Sequence, residues 1–360
     1  MQSKNIKFAF QRSDRKKMKR NKHTMLAITS SLVVIACLTG GYLYRTVCSP
    51  LLRNEKTAYL YIDRDDDIDS VRVKIRAAGR VTRMEGFDLL AAYDGYGRKI
   101  RTGRYALNPG GNMLGLYKTL SRGRQTPLML TVPATKTIGQ LVKTIDRQLM
   151  IDSAEIRKSL TDTATIKQWG FDERTLPAFF IPDTYECYWN VSPQALLRKL
   201  RQAYQHFWNE QRTAQAAAVG LTPIEAATLA SIVDEETSKN DEKPIIAGLY
   251  LNRLKKGMRL QADPTVKFAL NDPAVRRILF QHLEVDSPYN TYKHEGLPPG
   301  PIRIASVQGI ESVLNYVRHT YLYMCAKEDF SGYHHFAVNS AQHAANARRY
   351  QQALNRRHIH

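Results

Sequence analysis

Three consecutive carboxylates, Asp234, Glu235 and Glu236, follow the run Leu229-Ala230-Ser231-Ile232-Val233. On an α-helix they cannot share a face. With Leu229 set at 0° and a step of ~100° per residue, Ile232 falls near about −60°, Val233 near about +40° and Glu236 near about −20°. Asp234 falls near about 140° and Glu235 near about −120°, on the outward side, where solvation is expected. Glu236 alone lies on the apolar stripe. Desolvation there disfavours the ionised form, and the negative end of the helix dipole acts in the same direction. A carboxyl that keeps its proton near neutral pH is suited to general acid chemistry, such as protonating the leaving oxygen of a glycosidic bond. The alternative is an ion pair with a buried arginine, for which Arg253 is the candidate.

The elements that must position this group can be read outward from it. Thr222-Pro223-Ile224-Glu225 has the form of a capping box with proline in the first turn, so a helix is expected from Thr222 to about Thr237. Residues 193–218 read as one long helix ended by Gly220, and residues 243–256 as another ended by Gly257. The stretch Gly296-Leu297-Pro298-Pro299-Gly300-Pro301 is too rich in Pro and Gly for regular structure. A helix over 306–319, strands over 321–325 and 335–338 and a closing helix over 340–355 complete this part. Upstream, residues 57–168 contain two related units. Ala58-Tyr59-Leu60-Tyr61-Ile62 and Leu128-Met129-Leu130-Thr131-Val132 are β-like runs; each is followed by five turn-forming residues and an apolar helix start. Such a strand, two-helix, return-strand unit suits either a glycan-binding module or an α+β spacer. The fold class expected is α+β.

The chain has 360 residues, 43% of them hydrophobic, which excludes a disordered protein. Its 53 Lys and Arg against 33 Asp and Glu leave a charge of 53 − 33 = +20. The four cysteines, Cys37, Cys48, Cys187 and Cys325, show no C-x-x-C spacing, which excludes a disulfide scaffold and a zinc ribbon; whether Cys187 and Cys325 pair is left open. The tail 1–24 carries nine basic residues and one acidic one, and the 20 residues 25–44 carry no charge. A segment of that length spans a bilayer of about 30 Å, and the basic flank places the N-terminus in the cytoplasm. A cleaved signal peptide and lipidation at Cys37 are the rival readings. An exported domain meets no DNA, so nucleic-acid binding is set aside. The expected division is a tail (1–24), a transmembrane helix (25–44), a membrane-proximal region (45–168) and a catalytic domain (169–360).

Several strings occur together in one order: Ile181-Pro182-Asp183-Thr184-Tyr185, Ser231-Ile232-Val233-Asp234-Glu235-Glu236-Thr237, Asn252-Arg253-Leu254, Leu260-Gln261-Ala262-Asp263-Pro264-Thr265-Val266, Tyr289-Asn290-Thr291-Tyr292, Gly296-Leu297-Pro298-Pro299-Gly300-Pro301, and Tyr333-His334-His335-Phe336 with His343. The set resembles the MltG-type (YceG-like) endolytic murein transglycosylases over roughly residues 57–355. The resemblance implies LysM-like units before the catalytic domain, Glu236 as the catalytic acid and base, and neither metal nor cofactor. It implies cleavage between N-acetylmuramic acid and N-acetylglucosamine to leave 1,6-anhydro ends on nascent peptidoglycan strands, beside peptidoglycan synthases (penicillin-binding proteins) at the inner membrane. Asn252, Gln261, Asp263, Thr265, Asn290 and Tyr292 are the expected lining of the substrate cleft, with Tyr289 stacking on a sugar. Loop capping is the alternative for Asp263 and Asn290, and Asp263 could also steady charge at the anomeric carbon. The chain departs from the family at Leu176-Pro177-Ala178, where Leu-Glu-Gly is usual, and at Asp234, where Glu is common. His334 rather than His335 fits the family histidine. A wall-binding scaffold without activity and a lysozyme-like hydrolase are the competing functions.

Overall fold

The tail and the apolar segment form one unbroken helix, α1 (Gln2–Leu43), in a computed structural model that describes residues 2–160, 163–272, 274–275 and 277–357. The apolar stretch buries nothing against protein, and it is long and apolar enough to cross a membrane. The helix widens into a π-turn, Tyr44–Cys48, whose Val47 is buried. The chain divides into two compact units, Met1–Pro127 and Leu128–His360.

In the first unit β1 (Ala58–Ile62) leads through α2 (Ile68–Gly79) and α3 (Glu85–Asp94) to β2 (Gly103–Leu107), and α4 (Met113–Ser121) closes it. The strands are antiparallel, with Ala58 opposite Leu107 and Ile62 opposite Gly103. Alternation puts Leu60 and Ile62 in the core and leaves Tyr59 and Tyr61 outside. Asp67 starts α2 by accepting from the Ser70 amide at 2.8 Å. Phe87, Tyr96 and Tyr117 meet edge to face at the centre.

The second unit also opens with a strand, a run of helices and a return strand, with three helices in place of two. Strand β3 (Leu128–Val132) is followed by α5 (Ile138–Asp146), α6 (Ser153–Leu160) and α7 (Thr163–Gln168), and β4 (Asp183–Cys187) returns antiparallel to β3. The sequence pattern groups residues 128–168 with the first unit, yet their core runs on into Phe179, Phe180, Leu196, Leu200 and Ile304. The return strand lies beyond residue 168 and is too polar to announce itself: only Cys187 in it is buried.

Residues 193–218 are two helices, not the one expected. Helix α8 (Pro193–Phe207) stops at Trp208, whose ψ of 58° leaves the helical range, and Asn209 starts α9 (Glu210–Ala218) by accepting from the Arg212 amide at 2.9 Å. Helix α10 (Pro223–Glu236) opens with the expected capping box: Glu225 Oε2 accepts from the Thr222 amide at 2.8 Å, and Thr222 Oγ1 accepts from the Glu225 amide at 3.3 Å. Then come α11 (Lys243–Lys255), α12 (Asp263–Leu270) and α13 (Val307–Leu314). Helix α13 is shorter than the 306–319 expected: the chain turns out at Asn315, and the Val317 amide donates to the Pro244 carbonyl. The hairpin β5 (Tyr323–Ala326) and β6 (His334–Ala337), with α14 (Ser340–Arg356), completes the unit. Cys187 lies in β4 and Cys325 in β5, both as free thiols.

Candidate active site

Helix α10 runs through the middle of the second unit, and every residue from Ala226 to Val233 is buried. A helix enclosed on all sides has no outward face. Asp234 and Glu235 are therefore not the solvated carboxylates expected from helical phase. Asp234 Oδ1 accepts from Lys243 Nζ at 2.8 Å and from Ser306 Oγ at 2.8 Å, and Oδ2 accepts from the Ser306 amide at 2.6 Å. Glu235 takes Arg303 Nη1 at 2.7 Å and Lys136 Nζ at 3.1 Å. Both fasten α10 to its surroundings. Gly309 on α13 makes room for this, since a Cβ there would lie 2.6 Å from Asp234 Oδ1.

Glu236 has a different neighbourhood. Its Oε1 accepts from the Tyr250 hydroxyl on α11 at 2.5 Å. Burial pushes its carboxyl up to about 7, the charges of Asp263 and Glu235 add to the rise, and the Tyr250 bond opposes it. Arg253 does not pair with it. That guanidinium is buried, and its Nη2 donates to Gln261 Oε1 at 2.6 Å. Glu236 opens into a cleft of about 490 Å³ between α11, the 260–263 segment and the β5–β6 hairpin.

Of the eight residues expected as the acid or the cleft lining, four meet at this cleft: Glu236, Gln261, Asp263 and Tyr292. Tyr292 donates its hydroxyl to Asp263 Oδ1 at 2.6 Å, and Oδ2 has no donor among the described residues. The others spend their polar groups inside the protein. Thr265 is fully buried and bonds the Ala262 carbonyl and Thr291 Oγ1. Asn290 Nδ2 donates to the carbonyls of Leu283 and Val285, both at 2.8 Å, and its Oδ1 accepts from the Tyr292 amide. Asn252 Nδ2 donates to the His319 and Tyr321 carbonyls. Tyr289 packs on Phe268 with ring centroids 4.7 Å apart. Thr265, Asn290 and Tyr289 shape the segments that carry Asp263 and Tyr292, and Asn252 ties α11 to the segment that leads into β5.

Sequence reasoning overlooked Tyr250, Tyr323 and Met324, which also line the cleft. Tyr250 sits in an apolar helical run, where a tyrosine reads as core. Strand alternation separates the adjacent histidines. His334 lines the cleft with Nδ1 held by Glu242 at 2.8 Å, whereas His335 pairs with Glu328 at 2.7 Å and is absent from the lining. His343, from the first turn of α14, stacks on Tyr323 at 5.3 Å.

Known proteins resemble the chain along most of its length. A protein named endolytic murein transglycosylase from Streptococcus pneumoniae is 26% identical over 361 residues, covering 90% of this chain and 65% of its own length. One of the same name from Bacillus subtilis is 26% identical over 314 residues, covering 81% of this chain and 85% of its own. The chain thus spans just under two thirds of the streptococcal relative. A crystal structure of a yceG-like protein from Listeria monocytogenes superposes with a TM-score of 0.53 at 25% identity, covering 81% of this chain and 99% of that one. Residues 60–349, from within β1 through every residue of the cleft, match the sequence model of the YceG-like family, and the chain belongs to that family.

Proposed function

We propose that the chain is a membrane-anchored endolytic murein transglycosylase. The observation that carries this is Glu236, a carboxyl held near neutrality at the floor of a polar cleft. As the acid, Glu236 protonates the oxygen bridging N-acetylmuramic acid to N-acetylglucosamine, and the bond from that oxygen to the muramic anomeric carbon breaks. The muramic 6-hydroxyl then forms its bond to that carbon and gives its proton to the Glu236 carboxylate. The acid is regenerated and a 1,6-anhydro end is left. One carboxyl serves twice because the nucleophile belongs to the substrate. In this reading Asp263, the other carboxylate among the described lining residues, steadies positive charge developing at the anomeric carbon; its position in the cleft lining supports the role.

The repeated order strand, helices, return strand supports reading both repeats as LysM-like glycan-binding units. The basic flank of α1 favours a cytoplasmic N-terminus, which puts residues 45–360 outside the cytoplasmic membrane, next to strands leaving their synthases. The test is mass spectrometry of the ends released from purified peptidoglycan by the full chain in detergent. Anhydro ends that vanish with Glu236→Gln support the proposal. Reducing ends would make the chain a hydrolase, and no cleavage would make it a wall-binding scaffold.

A further inference from the structure

Gln261 is an exposed side chain held unusually firmly. Its backbone lies in the left-handed region at φ 54°, which residues other than glycine rarely enter. Its amide oxygen accepts from Arg253 at 2.6 Å, and Arg253 is itself 7% exposed. An exposed glutamine left to itself would sample many rotamers. Here the backbone and a buried cation both fix it, at the rim of the cleft that holds Glu236.

The pairing also settles which way the amide faces. A guanidinium carries donors only, so the atom of Gln261 facing Arg253 must be the oxygen. The amide nitrogen is then turned from Arg253, with two hydrogens to give and no recorded partner among the described residues. It cannot exchange roles as a hydroxyl can, because turning the amide over would set NH₂ against the guanidinium. The cleft therefore presents a fixed donor, and a fixed donor is matched best by a group that only accepts. On a peptidoglycan strand the strongest neutral acceptors of that kind are amide carbonyls; the ring, bridging and lactyl ether oxygens also only accept, but more weakly.

Resting on the proposed function above, we infer that Gln261 is a specificity-determining residue that donates its amide hydrogens to an amide carbonyl of the bound strand. Two parts of the substrate offer one: the acetamido groups of the sugars and the stem peptide. Arg253 is the positioning residue behind it.

The experiment measures binding, so that it does not depend on turnover. Full-length chain carrying Glu236→Gln, in detergent, is titrated with three labelled glycans: the native peptide-bearing strand, the same strand N-deacetylated, and the same strand stripped of peptide. Gln261→Glu is then added, which keeps the shape and the contact with Arg253 but removes the donor. Gln261→Gly, which accepts a positive φ, provides a second removal should the glutamate variant fold poorly. The native strand should bind either double variant about tenfold more weakly than the single one. One altered strand should bind the single variant about tenfold more weakly than the native strand does, with no further loss in the double variants. Whether that strand is the deacetylated or the stripped one identifies the source of the carbonyl. Equal loss on all three strands, or loss on none, overturns the inference. A wild-type chain that releases no anhydro ends while this pattern holds would overturn the proposed reaction and leave the role of Gln261 standing.

Discussion

Keeping a proton on Glu236 at neutral pH has a cost in stability. The free carboxyl titrates near 4.5 and the folded one near 7, so between those values the folded state holds the extra proton. Stability therefore falls as pH rises from about 4.5 to about 7 and then levels off, by a total on the order of 3 kcal/mol. Glu236→Gln should remove that loss. Urea unfolding at pH 8 should show the variant more stable than the parent, and at pH 4.5 the two should coincide; equal stability at pH 8 would contradict the buried acid. Tyr250 acts on the same group in the opposite sense. Its hydroxyl bonds one carboxylate oxygen and favours the ionised form. Tyr250→Phe should raise the carboxyl further, and the alkaline limb of kcat/KM against pH should move to higher pH. A profile unmoved by this substitution would mean that the bond is absent when substrate is bound. Helical phase alone separated Glu236 from its two neighbours in sequence, because the angle between side chains on a helix is fixed by geometry. The fate of Asp234 and Glu235 was not legible, since it depends on Lys243, Ser306, Arg303 and Lys136, which reach them from other elements.

At the scale of elements, the site depends on how tightly α10 is held. Its N-terminus is fixed by the capping box and its C-terminal turn by two ion-pair networks of unequal depth. Lys243 and Asp234 are nearly enclosed, with side chains 9% and 3% exposed. Removing one partner leaves the other charged in a poorly solvated place, so Asp234→Ala should cost about 3–5 kcal/mol. Lys136 bonds Glu235 with 64% of its side chain exposed, and Lys136→Ala should cost about 1 kcal/mol or less. Denaturant midpoints of the two variants measure the contrast, and similar losses would show that Asp234 is not enclosed. Local rules made the start of α10 legible, because Thr222 and Glu225 bond within one turn. They failed at Trp208 and Asn209, where composition continues helically and only the asparagine marks a new start. They failed again beyond Leu314, where the chain leaves its helix to reach the Pro244 carbonyl, a partner distant in sequence.

At the scale of the molecule, the junction between the anchor and the first unit is built as packed structure. Helix α1 passes directly into the turn Tyr44–Cys48, and Val47 in that turn is buried. The backbone of Thr46 comes so close to α3 that a Cβ on Gly86 would lie 2.3 Å from its carbonyl oxygen. Such an approach requires glycine, and it joins the anchor to the unit without slack. The apolar segment of α1 buries nothing, whereas the turn after it fills part of the unit's interior. Two truncations should therefore behave differently. A chain lacking residues 1–43 loses the basic tail and an apolar stretch that buries nothing against protein, and it should be soluble and folded without detergent. A chain lacking residues 1–49 also loses Val47 and the contact at Gly86, which exposes apolar surface beside α3 and α4; it should unfold at a lower temperature or aggregate. Gly86→Ala in the full chain should weaken the same junction by forcing Thr46 aside. Calorimetry of the two truncations decides the matter. Equal melting temperatures would show that the turn contributes nothing to the unit, and that the anchor is a tether instead of a packed joint.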